Sequence, residues 1–190
     1  MSNLDVPPTD QGLTITIVGQ VLILCAWFAV VMTTLLDGSD ALLPASIGGG
    51  GGLILSGIGF LRLRPRLATL GTAAGWVLLG GIALALLVFA LVPSGREWGK
   101  LAALIFALGV VATCLVTAQL LASLGLARTS RAASWTGVVA NATALLAGLL
   151  ALLLGSEVLY FALASSLVGH IAFLIGLTRP DHPVTPSASP

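Results

Sequence analysis

Apolar residues run almost unbroken along this chain, and short polar or charged stretches cut them into six segments. The segments cover residues 13–36, 42–61, 70–92, 101–126, 135–155 and 158–177. A helix needs about 20 apolar residues to cross a hydrocarbon core of about 30 Å, because each residue adds about 1.5 Å. Each segment reaches that length, so the pattern predicts six transmembrane helices. A barrel would show short strands of alternating polarity. Continuous Leu, Ala and Val runs do not alternate, and only helices satisfy their own backbone groups in lipid. The predicted fold is therefore all-α, a polytopic transmembrane bundle of about six spans.

The breaks have plain chemistry. Asp37, Gly38, Ser39 and Asp40 separate the first two segments, and Arg62, Arg64, Pro65 and Arg66 the next two. Pro93 to Glu97 leads into the fourth segment, and Arg128 to Arg131 precedes the fifth. Only Gly155, Ser156 and Glu157 part the last two, which predicts a tight antiparallel hairpin. The flanks at 1–12 and 178–190 are polar and rich in Pro and Ser, so both are expected to be disordered tails.

Composition narrows the picture. The chain is 57% hydrophobic and 8% charged, against about 25% charged in soluble domains. A water-facing surface cannot be built from so few charges, and disorder requires low hydrophobicity. A lipid bilayer is the expected solvent for most of the surface. No Lys or Arg precedes the first apolar segment, so it lacks the positive flank of a signal peptide and reads as an uncleaved first span.

Charge adds orientation. With six spans, Arg62, Arg64, Arg66, Arg128, Arg131 and Arg179 share one side with both tails, and Arg96 and Lys100 lie on the other. Lys and Arg accumulate on the cytoplasmic side, so both termini are expected in the cytoplasm, in a cytoplasmic membrane of bacterial type. The orientation would flip after residue 61 if the glycine-rich second segment only dipped into the membrane. That arrangement weakens the charge bias, which favours the full span. The net charge of +1 and the absence of a long basic run exclude nucleic acid as a partner.

Helix association in lipid relies on close contact between small residues. Four-residue ladders of that kind occur at Gly48 and Gly52, at Gly71 and Gly75, at Ala140, Ala144 and Gly148, and at Ser166 with Gly169 one step round. They predict faces where helices pack on one another, on other membrane proteins or on a second copy. Gly48 to Gly52 is a run of five glycines. It reads as a flat packing face, with an interrupted, ligand-exposing helix as the alternative. Pro44 suits the first turn of that helix.

One feature goes beyond packing. Gln20, Gln119, Asn141 and His170 each lie six or seven residues in from the end of a predicted span on the arginine-rich side, and Ser56 is close to that level. Helices that alternate in direction thus bring these five residues to one depth, about 10 Å below the interface. Polar groups in hydrocarbon turn inward and find partners. They serve as interhelical glue or line a site for a small solute or a proton.

Catalysis has weak support. Ser165 and Ser166 share a helix with His170, a poor arrangement for a nucleophile and its base. One intramembrane histidine with no carboxylate beside it cannot complete a metal site, and His182 lies in the tail, so no cofactor is expected. Cys25 and Cys114 share a depth near mid-bilayer and read as packing residues, neighbours if the first and fourth helices touch. Two functions stay open: a non-catalytic component or subunit of a larger membrane assembly, or a small permease or channel for a neutral or protonatable solute. The resemblance of a layout to others carries no function by itself.

Overall fold

The computed structural model describes residues 8–36, 42–92, 97–128 and 133–178. Among them the chain is all-helical: α1 Pro8–Leu36, α2 Leu42–Arg62, α3 Arg64–Leu91, α4 Glu97–Ala127, α5 Ala133–Leu154 and α6 Ser156–Thr178. Four stretches are long and apolar enough to cross a membrane: Gln11–Ala29, Thr69–Leu91, Trp98–Ala127 and Glu157–Thr178. The apolar stretch of α5, Trp135–Ala151, is shorter. The glycine-rich α2 is not among the four.

The helices outrun the apolar segments. α1 begins at Pro8, inside the stretch expected to be a tail, and residues 1–7 and 179–190 lie outside the described residues. α3 begins at Arg64, six residues before the expected start. Hydropathy marks where lipid would lie, whereas a helix continues until its backbone is capped or broken. Pro8 and Pro65 both sit in a first turn, where a missing N–H costs nothing. The expected 62–66 loop is a corner of one residue, Leu63. Its N–H donates to Gly59 O at 2.8 Å, and its carbonyl accepts from Leu67 N at 3.0 Å. Leu63 is fully buried, so the corner is anchored in the core. At the other hairpin, Gly155 alone separates α5 from α6. It holds a φ of 99°, with its N–H donating to Ala151 O at 3.0 Å. That left-handed cap suits glycine and turns the chain back sharply.

The six helices form a ring in chain order. Each packs on the next, α6 returns to α1, and α6 also touches α4. The α1–α2 pair is the tightest. Facing residues step along it in strict antiparallel register: Gly12 with Arg62, Thr16 with Gly59, Gly19 with Ser56, Ile23 with Gly52, and Ala26 with Gly49. That register runs 14 residues along α1, or about 21 Å. α2 is one unbroken helix through its five glycines. Gly49 and Gly52 face α1, while a Cβ at Gly48, Gly50 or Gly51 would meet nothing within 4 Å.

Burial is uneven along the bundle. The apolar core, with Ile23, Phe60, Leu63, Leu67, Leu78, Leu115, Leu126, Phe173 and Leu177, occupies the half toward Arg62 and Thr178. Phe60 and Phe173 meet edge to face there, with centroids 5.7 Å apart at 77°. In the half toward the far ends of α3 and α5, the buried apolar residues among those described are small: Ala85, Ala103, Ala107, Ala147 and Ala162. Large apolar side chains such as Leu91, Trp98, Phe106 and Phe161 point outward in that half.

The small-residue ladders pack differently from the expected four-residue spacing. On α5 the buried stripe is Gly137, Asn141, Ala144 and Ala147, whereas Ala140 is half-buried and a Cβ at Gly148 meets nothing within 4 Å. Steps of four overshoot the 3.6-residue turn and drift round the helix, whereas alternating steps of three and four hold one face. Gly71 and Gly75 lie against Phe60, Leu61 and Gly57 of α2. On α6, Ala162, Ser166 and Gly169 are buried, with Gly169 against Asn141.

Candidate functional site: a buried polar layer

Among the described residues, eight polar side chains are buried in the bundle: Thr16, Gln20, Ser56, Gln119, Ser123, Asn141, Ser166 and His170. All five residues expected in the layer are among them. Gln20, Ser56, Gln119 and Asn141 have no exposed surface, and His170 has 1%. The other three carry a sequence signal of their own. Thr16 lies four residues before Gln20, Ser123 four after Gln119, and Ser166 four before His170, so each shares a face with its neighbour.

Two amides and a hydroxyl link three helices. Gln119 Nε2 of α4 donates to Gln20 Oε1 of α1, and Gln20 Nε2 donates to Ser56 Oγ of α2 at 3.1 Å. Gln20 therefore reaches across the ring and ties α4 to the α1–α2 pair. Beside it, Thr16 Oγ1 donates to Gly12 O on its own helix at 2.8 Å.

The other members bond within their own helices. Asn141 Nδ2 donates to Gly137 O at 2.8 Å, and its side chain lies against Gly169. His170 Nδ1 lies 3.0 Å from Ser166 O. A carbonyl only accepts, so Nδ1 carries a proton, and in the neutral form of the ring Nε2 is then a bare acceptor. The imidazole thus meets the carbonyl of Ser166, not its hydroxyl, and no serine–histidine pair forms.

Among the described residues, four buried atoms have no partner: Gln119 Oε1, Ser123 Oγ, Asn141 Oδ1 and His170 Nε2. Leaving such a group unpaired costs about 1–3 kcal/mol. All four belong to α4, α5 and α6, whereas the Gln20–Ser56 half of the layer is bonded. On the side toward Arg62, Phe60 and Phe173 lie one turn beyond Ser56 and His170, flanked by Leu63, Leu67, Leu126 and Leu177. This apolar plug lies at the level of Thr16 and Ser123 and stands between Gln20, Ser56, Gln119, Asn141 and His170 and that end of the bundle.

The cysteines are not neighbours. Cys25 is exposed on α1, and Cys114 of α4 packs against Gly81 of α3. Their shared depth puts them on different faces.

Comparison with family models, with curated proteins and with solved structures returns no match for this chain.

Proposed function

We propose that this chain is an integral membrane protein that crosses the bilayer six times with both termini in the cytoplasm, and that it works as a non-catalytic component of a larger membrane assembly. Four helices have the length and apolarity to span. α2 follows α1 in register for about 21 Å, so it goes as deep as α1 does. α5 doubles back from α6 at one residue and packs along it. The arginine bias of the sequence then sets the orientation. The expected membrane is a cytoplasmic membrane of bacterial type.

One observation carries the subunit reading. Glycines inside the bundle, such as Gly19, Gly52 and Gly137, each face an adjacent helix at close range. Gly48, Gly50 and Gly51 of α2, Gly80 of α3, Gly109 of α4 and Gly148 of α5 meet nothing within 4 Å. Glycine weakens a helix by about 1 kcal/mol relative to Ala, and membrane helices carry it where another backbone comes close. The open glycines fit the approach of a partner membrane protein. Native mass spectrometry of the chain extracted gently from its own membrane tests this. A second protein bound in fixed ratio is expected. Gly148→Leu should dissociate that complex without lowering the melting temperature of the isolated chain. An unaltered complex would count against the α5 face, and the 19.2 kDa chain appearing alone would sink the subunit reading.

A second reading, a small permease for a neutral or protonatable solute, is favoured by the four unpartnered polar atoms. Transport would require the Phe60–Phe173 plug to part. His170→Ala is then expected to abolish solute flux in proteoliposomes while the fold survives. Unchanged flux would refute this reading.

A further inference from the structure

The four unpartnered atoms lie at neighbouring levels of three helices that pack together. Gly137 of α5 sits against both Ser123 of α4 and Ala172 of α6: a Cβ there would lie 3.2 Å from Ser123 Oγ and 3.7 Å from Ala172 Cβ. Those three residues define one level. One turn away on the same side, Gln119 lies four residues before Ser123, and Asn141 lies four after Gly137 against Gly169. His170 is the next residue along α6. A second contact agrees. Gly176 of α6 meets Leu126 of α4, and these two helices run parallel. Seven residues back from Leu126 is Gln119, and six back from Gly176 is His170. Gln119 and His170 therefore share a level to within about 2 Å. Because α4, α5 and α6 all touch one another, the four atoms occupy two adjacent turns of one three-helix cluster.

Their chemistry is one-sided. Each amide spends its NH2 on a protein acceptor and leaves its carbonyl oxygen bare. The ring does the same, with Nδ1–H used and Nε2 bare. The cluster thus offers three acceptors and one hydroxyl that both donates and accepts. None of the four carries a fixed charge, and no protein donor reaches them. Buried acceptors of this kind are ordinarily satisfied by a bridging molecule held by two to four polar partners.

We propose that Gln119, Ser123, Asn141 and His170 form a binding site for a small neutral molecule rich in N–H or O–H donors. Two sources share that chemistry: an internal water, or a solute such as a small amide. A water or a primary amide has two hydrogens to give, so it donates to His170 Nε2 and to one of Gln119 Oε1 and Asn141 Oδ1, while its oxygen accepts from the Ser123 hydroxyl. The site supplies what the permease reading needs, yet it stands without transport. A bound donor with no flux would retain the site and remove the permease.

The test reads the ring directly. The full chain, labelled with 15N-histidine and carrying His182→Gln so that His170 gives the sole signal, is placed in lipid nanodiscs. Its Nε2 resonance is followed in H2O, in D2O and with added acetamide. The expected result is an Nε2 resonance displaced upfield from that of a bare pyridine-type nitrogen. An isotope shift in D2O without response to acetamide identifies water, and a saturable response to acetamide identifies the amide class. Asn141→Leu or Ser123→Ala should move the resonance back toward the bare value, and whichever variant keeps the wild-type melting temperature serves. A resonance at the bare value that ignores both D2O and acetamide overturns the proposal.

Discussion

Gly19→Ala is expected to destabilise the bundle markedly, and Gly50→Ala to stabilise the isolated chain, although both add the same methyl group to a helix. The sign is set by space. A Cβ at Gly19 would lie 2.6 Å from the backbone nitrogen of Ser56 and 2.8 Å from Gly52 O. Backbone cannot swing aside as a flexible side chain can, so α1 and α2 must separate. Separation disturbs every pair in their register, from Gly12 with Arg62 to Ala26 with Gly49. Overpacking costs about 1–3 kcal/mol. The upper end is expected because two backbones collide, which corresponds to a melting temperature lower by about 6–12 °C in a chain of this size. At Gly50 a Cβ meets nothing within 4 Å, so alanine contributes only its better helix propensity, at most about 1 kcal/mol. Thermal melting of the purified protein in one detergent compares the two variants directly. Equal effects, or a Gly19→Ala protein that melts with the wild type, would show that α1 and α2 do not approach as described.

That contrast also shows why the sequence was readable in some respects and silent in others. The apolar segments announce helices, since a continuous Leu, Ala and Val run has no other stable form away from water. They do not announce helix ends: α1 and α3 start well before hydropathy rises, and the 62–66 break is a single buried Leu63 instead of a loop. Glycine is ambiguous on its own. Gly48 and Gly52 look equivalent in a four-residue ladder, yet only Gly52 meets α1, because the register with Gly19 and Ile23 selects it. On α5 the same drift turns Gly148 outward and brings Ala147 in.

The polar layer was legible because depth follows from counting residues, and polar side chains in an apolar span have one favourable direction. Counting could not show its division. That Gln20 and Ser56 are bonded, while Asn141 and His170 each keep a bare acceptor, depends on which helices face one another across the ring. Nor could counting show Phe60 against Phe173, since those residues are contributed by helices far apart in the chain.

The bonded half of the layer carries the other large expectation. Gln20→Leu removes the central link of the Gln119–Gln20–Ser56 chain. Two interhelical hydrogen bonds are lost, each worth about 0.6–2 kcal/mol in membrane proteins. Gln119 Nε2 and Ser56 Oγ both lose the partner that the chain gave them. The combined loss is expected to be about 2–4 kcal/mol. Ser56→Ala, at the end of the chain, should cost less, about 1 kcal/mol. The decisive variant is the double, Gln20→Leu with Gln119→Leu. Once Gln20 is gone, Gln119 is a buried amide with no link to α1, so replacing it with an apolar residue removes a liability. The double variant should therefore lose less than the two single losses added together, the mark of residues that act on one another. A double-mutant cycle measured by equilibrium unfolding in mixed micelles reads this coupling. Strict additivity would mean that the two amides do not bond. α4 would then be held to the α1–α2 pair by packing alone, and the layer would owe its shared depth to something other than mutual attraction.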